Sequence, residues 1–91
     1  MVNKMRDPQH TVLLVEDDPA DRELFEEYCK EQTKLKVDIH HANRLSAAFD
    51  ILSEEKIDLV FMDLGLPDSK GLETLKRFVD GGPEIPIIVL T

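Results

Sequence analysis

The chain has one cysteine, Cys29, among its 91 residues. No internal disulfide can form, so a disulfide-stapled fold is excluded, and a lone thiol suits a reducing compartment such as the cytoplasm. No apolar run approaches the ~18–20 residues that span a bilayer, which excludes a membrane segment of that kind. Met1–His10 is polar and mixed in charge, without the apolar core of a secretory leader. Bases are scarce: 11 Lys and Arg stand against 19 Asp and Glu, for a net charge of −8. That shortage removes nucleic acid as a partner of this segment, because phosphate binding needs clustered Lys and Arg. Internal repeats, low-complexity tracts and linkers are missing too, which points to one small domain. With 42% apolar residues the chain is too hydrophobic to be disordered. A domain of this size buries only about 60–65% of its unfolded surface.

What is present is unevenly placed. Between Glu16 and Glu31, eight acids accompany two bases, Arg22 and Lys30, and hold −6 of the −8. Glu23, Glu26, Glu27 and Glu31 read as a solvated helix face. Glu16 and Asp17 differ, because they directly follow an apolar run.

Periodicity alternates strand and helix along the chain. Thr11–Val15 (TVLLV) predicts a parallel strand buried on both faces. Asp18 offers an N-cap with Pro19 at the first helical position, and the helix that follows carries Leu24, Phe25, Tyr28 and Cys29 on one stripe. Val37–Ala42 (VDIHHA) alternates, as a half-exposed edge strand does. Asn43 is placed to cap a second helix with core face Ala47, Ala48, Ile51 and Leu52. Ile57–Asp63 predicts another interior strand, and Leu64–Lys70 a loop. Ser69 is placed to cap a third helix that packs through Leu72, Leu75, Phe78 and Val79 and stops at Gly81-Gly82-Pro83. Ile85–Leu90 (IPIIVL) predicts a further interior-type strand, with Pro86 near its start.

The pattern βαβαβαβ implies an α/β parallel sheet with helices on both faces. With the alternating strand at an edge, right-handed crossovers give the order 2-1-3-4 and reverse the winding between strands 1 and 3. Ligands bind such sheets at the carboxyl ends of the strands beside that switch point. Glu16, Asp17 and Asp63 stand there. Three carboxylates so placed repel one another, and Mg²⁺, a hard cation that accepts a few carboxylates and keeps several waters, relieves the repulsion. An acidic rim screened by water is the simpler alternative.

VLLVEDDP at Val12–Pro19, MDLGLPDSKGLE at Met62–Glu73 and PIIVLT at Pro86–Thr91 together resemble the receiver domain of two-component response regulators. The three motifs fall in order and at the family's intervals, from about His10 onward. The resemblance implies a flavodoxin-like doubly wound sheet and a signalling switch, a phosphoacceptor and not a metabolic enzyme. It implies Asp63 as phosphoacceptor, Asp17 as a direct Mg²⁺ ligand, Glu16 as an outer acid acting through water, and the Gly65 carbonyl as a further metal ligand. Thr91 matches the hydroxyl residue that turns towards the phosphoryl group. The implied donor is a phosphohistidine on a sensor histidine kinase or phosphotransfer protein. His10, His40 and His41 are not placed as that donor: His40 and His41 point to opposite faces of a strand, and His10 precedes the sheet.

Two departures from the family stand out. Lys70 replaces the acid that often precedes the glycine of the third helix, which shifts the expected cap to Ser69. The chain also stops at Thr91, so the expected organisation is an extension over 1–10 and a receiver over 11–91, lacking the usual last strand and last two helices. The strand over 85–91 then offers an exposed edge for self-association. Two other readings remain open at this stage. One is an interaction module that is not phosphorylated. The other is a Mg²⁺-dependent phosphatase with an aspartyl nucleophile, a class that has a second Asp where Gly65 stands.

Overall fold

Thr11–Val15 combines β-branched residues with leucine and carries no charge, and such a segment is stable only inside a sheet. The computed structural model describes residues 9–32, 36–81 and 84–90. In chain order its elements are β1 (Gln9–Val15), α1 (Pro19–Gln32), β2 (Lys36–Ala42), α2 (Leu45–Glu54), β3 (Leu59–Asp63), β4 (Gly65–Leu66), β5 (Ser69–Lys70), α3 (Leu72–Asp80) and β6 (Ile87–Leu90). Four parallel strands form one sheet in the order β2-β1-β3-β6. This is the flavodoxin-like order expected, with the alternating strand at an edge and the winding reversed between β1 and β3. β1 begins at Gln9, so His10 lies inside the sheet opposite Val37 and does not precede it. Part of the expected loop over 64–70 is a small antiparallel hairpin, Gly65 opposite Lys70 and Leu66 opposite Ser69. No helix among the described residues is long and apolar enough to cross a membrane.

Side chains alternate across each strand, so the sheet has two apolar faces. Leu13, Val15, Val60 and Met62 join Ala42, Leu45, Ala48, Ile57, Leu66 and Phe78 in one buried cluster, covered by α2 and α3. Phe49 stacks on Phe78 with ring centres 5.6 Å apart. On the other face, beside buried Val12 and Leu14, Phe25 of α1 meets Phe61 edge-on at 4.7 Å.

Two of the three expected helix stripes differ in part from those observed. On α1, Phe25 and Cys29 are half-buried, whereas Leu24 and Tyr28 are 69% and 63% exposed. One residue back along a helix is a turn of about 100°, enough to carry a side chain off the contact with a flat sheet. On α3 the buried pair is Thr74 and Phe78, while Leu72 and Val79 lie exposed. Thr74 is tolerated inside because its hydroxyl donates to the Leu64 carbonyl at 3.0 Å. A reading that counts only apolar residues therefore rotates this helix by one position or more.

Two of the three expected caps are replaced. Asp18 does cap α1, its Oδ1 accepting from the Ala20 amide at 2.9 Å. Ser69 does not cap α3; it lies buried in β5, and the chain enters α3 through Gly71 at φ 64°, ψ −150°, a conformation open essentially to glycine alone. Asn43 does not cap α2 either. That helix starts after Arg44, which makes no side-chain cap, and the carboxylate of Asp68 arrives from the β4–β5 turn to accept from the Leu45 amide at 2.8 Å and the Ser46 amide at 3.1 Å. Arg77 donates to the Asp68 carbonyl at 2.8 Å. One residue thus ties the loop after β3 to both helices of that face.

Burial would raise the Asp68 carboxyl, but the two amides and the Arg77 charge outweigh it and hold the group below 3.8. The Asp68→Ala variant should lose about 1 kcal/mol of stability, the usual worth of an N-cap and not more because solvent screens the site. A depressed carboxyl contributes above its unfolded value and loses that contribution as the pH falls through its folded one. Denaturant curves of wild type and Asp68→Ala should therefore differ fully above pH 3.8 and converge in stronger acid.

Candidate functional site

β1 and β3 are parallel neighbours, with Val15 directly opposite Met62. The next residue on each strand is an acid, Glu16 on one and Asp63 on the other. Asp17 follows Glu16 at the bend before α1. Carboxylate oxygens of Glu16, Asp17 and Asp63 all lie within 4.8 Å of one another. The three acids expected to converge do so, at the carboxyl end of the sheet and at the switch point.

Each is held differently. Glu16 is only 6% exposed. Its amide donates to the Ala42 carbonyl at 2.9 Å, and its Oε2 accepts from the Asp18 amide at 3.2 Å. Asp17 is exposed and Asp63 half-buried. The Gly65 amide donates to Asp63 Oδ1 at 3.0 Å, fixing the rotation of that carboxyl. Gly65 itself is exposed and leaves open space above Asp63, since a Cβ there would sit 3.9 Å from Oδ1. Leu90 of β6 pairs with Asp63; Thr91, the next residue, lies outside the described residues.

Two residues near the site were not expected to matter. The sequence pattern gives His41 no role beyond its place on an edge strand, yet its Nε2 lies 2.9 Å from the Glu16 carbonyl and its Nδ1 3.0 Å from Arg22 Nη1. Asp68 lies within the segment expected as a loop over 64–70. Alternation placed His41 on the face opposite His40, but its partners come from elements distant in sequence.

Burial is the largest influence on Glu16. The Asp18 amide opposes it, while a hydrogen bond to Asp63 and the charges of Asp63 and Asp21 add to it, and the carboxyl is pushed up to about 7. Two unit charges about 4 Å apart repel by roughly 4 kcal/mol at an effective dielectric near 20. The cluster is therefore built of hard oxygen donors under mutual repulsion, and a divalent cation satisfies that donor set.

The family model of the response regulator receiver domain matches residues 12–91. The chain belongs to that family. It is a receiver domain of two-component signalling, and receivers are signalling domains and not metabolic enzymes. The receiver is 32% identical over 79 residues to the response regulator protein PilR of Pseudomonas aeruginosa, covering 87% of this chain and 17% of PilR. It thus spans less than a fifth of that relative. Among solved structures it resembles the Mn²⁺-bound form of response regulator Rcp1, with a TM-score of 0.76 and 29% identity over 90% of this chain and 65% of the other. It also resembles a co-crystal structure of the Saccharomyces cerevisiae histidine phosphotransfer protein Ypd1 with the receiver domain of Ssk1, with a TM-score of 0.73, 26% identity, and coverage of 92% and 64%.

The raised Glu16 carboxyl gives the metal-free receiver a pH dependence. A carboxyl whose folded value lies above its unfolded 4.5 stabilises the fold while protonated in it, and that contribution is lost as the pH rises through about 7. Thermal unfolding in a chelator should show this part of the stability falling between about pH 4.5 and 7. A divalent cation should restore the midpoint at the upper end, and Glu16→Gln should flatten the slope. A Glu16→Gln slope equal to that of wild type would contradict the assignment.

Proposed function

We propose that this receiver accepts a phosphoryl group on Asp63 from a phosphohistidine on a sensor kinase or phosphotransfer protein. The observation that carries the reading is the approach of the Glu16, Asp17 and Asp63 oxygens to within 4.8 Å at the switch point. Mg²⁺ is the ion that suits the cluster, held by Asp17, Asp63 and the carbonyl of Gly65, with Glu16 acting through water. When bound, the ion neutralises charge on the carboxylates and on the transferred phosphoryl oxygens.

The residues of the chain do the rest. The Gly65 amide holds Oδ1 of Asp63, so the carboxylate faces the donor in one orientation. A carboxylate oxygen attacks phosphorus in line. The O–P bond forms as the N–P bond of the phosphohistidine breaks, and the imidazole leaves with the electron pair and takes a proton from solvent. Water later cleaves the acyl phosphate and returns the carboxylate. Thr91, next along from the residue opposite Asp63, is proposed to meet the phosphoryl group with its hydroxyl. Leu24 and Tyr28, exposed on α1, offer an apolar footing for the donor protein. The resemblance to the receiver in the Ypd1 complex supports a donor of that kind. A half-buried free thiol at Cys29 agrees with a cytoplasmic setting.

With Mg²⁺ and a small acyl-phosphate donor, wild type should gain one phosphoryl group by intact mass and Asp63→Asn none. Equal labelling of both proteins would overturn the site. Conversely, if wild type cannot be labelled by any donor, the reading as an interaction module that is not phosphorylated would replace it.

A second observation favours self-association. Among the described residues β6 has a ladder partner on one side only, β3, and its Ile88 is 45% exposed. Two such edges pair antiparallel about a two-fold axis and satisfy both. Sedimentation of this 91-residue chain should show a dimer that tightens as salt screens the net charge of −8 and that dissociates in Val89→Lys. A well-folded monomer across the concentration range would refute it.

A further inference from the structure

The β1–β2 ladder ends with Val15 opposite Ala42, and one more bond, from the Glu16 amide to the Ala42 carbonyl, carries it to the acid loop. In a parallel ladder the Glu16 carbonyl would next accept from the Arg44 amide. Here the chain leaves the sheet at Asn43, and the side chain of His41 takes that place, with Nε2 2.9 Å from the Glu16 carbonyl oxygen. A carbonyl only accepts and a guanidinium only donates. Nε2 therefore carries the ring proton, and Nδ1 accepts from Arg22 Nη1 at 3.0 Å. Arg22 comes from α1, His41 from β2 and Glu16 from the end of β1. The imidazole closes a three-element clamp around the backbone of the first acid in the cluster.

We propose that His41, oriented by Arg22, is a positioning residue that holds the Glu16–Asp17 loop in its metal-binding geometry. The inference rests on the reading of the acid cluster as a Mg²⁺ site and adds to it a residue that touches neither metal nor phosphate. Groups that orient a metal's ligands from outside are ordinarily worth about 10–100-fold in metal affinity.

The test is calorimetric titration of MgCl₂ into wild type, His41→Gln, His41→Asn, His41→Leu and His40→Gln, with folding checked by circular dichroism. Glutamine carries its amide N–H to about the Nε2 position and keeps the bond to Glu16; asparagine reaches only the Nδ1 position and loses it. His41→Gln should bind within about twofold of wild type, His41→Asn and His41→Leu about tenfold more weakly, and His40→Gln as wild type does. The ¹⁵N spectrum of the wild-type ring should place the proton on Nε2. If His41→Leu does not fold, the comparison of glutamine with asparagine decides. A wild-type chain with no saturable Mg²⁺ binding overturns the metal-site reading and this one with it. Binding by wild type that His41→Asn matches, or a ring proton on Nδ1, overturns this inference alone.

Discussion

The register between β1 and β3 is the constraint on which the site depends. With Val15 opposite Met62, two strands that enter the sheet far apart in sequence leave it at the same level, and the acids that follow them meet. A slip of one residue would turn Val60 and Met62 away from Leu13 and Val15 and out of the core the four share, so the hydrophobic pattern enforces the register. Apolar burial thereby holds together carboxylates that repel. The site's electrostatic cost is carried by a core that has no other reason to be near it.

Glu16 shows that balance most clearly. Its side chain is buried beside Asp63 and its backbone is bonded on both sides, to Ala42 and to His41. A chain free to move would relax by swinging the carboxyl into water. This one is anchored, and burial beside Asp63 pushes its carboxyl up to about 7. The three acids so held form a hard oxygen donor set that suits a divalent cation.

The segment after β3 shows a comparable economy. Asp63, Gly65, Asp68 and Gly71 fall within nine consecutive positions, where the Gly65 amide bonds Asp63, Asp68 bonds α2 and Gly71 opens α3. Asp68 reaches α2, Arg77 returns from α3 to Asp68, and Thr74 returns to Leu64. The loop that presents Asp63 is therefore fastened to two helices by polar contacts, where a surface loop would ordinarily be free to vary.

The amino-acid sequence by itself determined the alternation of strand and helix, the sheet order and the convergence of Glu16, Asp17 and Asp63, because periodicity, strand polarity and crossover handedness are local or nearly local properties. Asp18 as a cap was legible for the same reason, its acceptor and donor lying two residues apart. The tertiary structure decided everything that depended on a partner far along the chain. Asp68 caps a helix that begins 23 residues before it, and Thr74 turns α3 by bonding a carbonyl ten residues back. His41 looked bland until Arg22 and Glu16 were brought to either side of its ring. Apolar burial is a sum over many contacts and leaves a periodic trace in the sequence. A single hydrogen bond between distant residues leaves none, and it exists only once packing has brought donor and acceptor within reach.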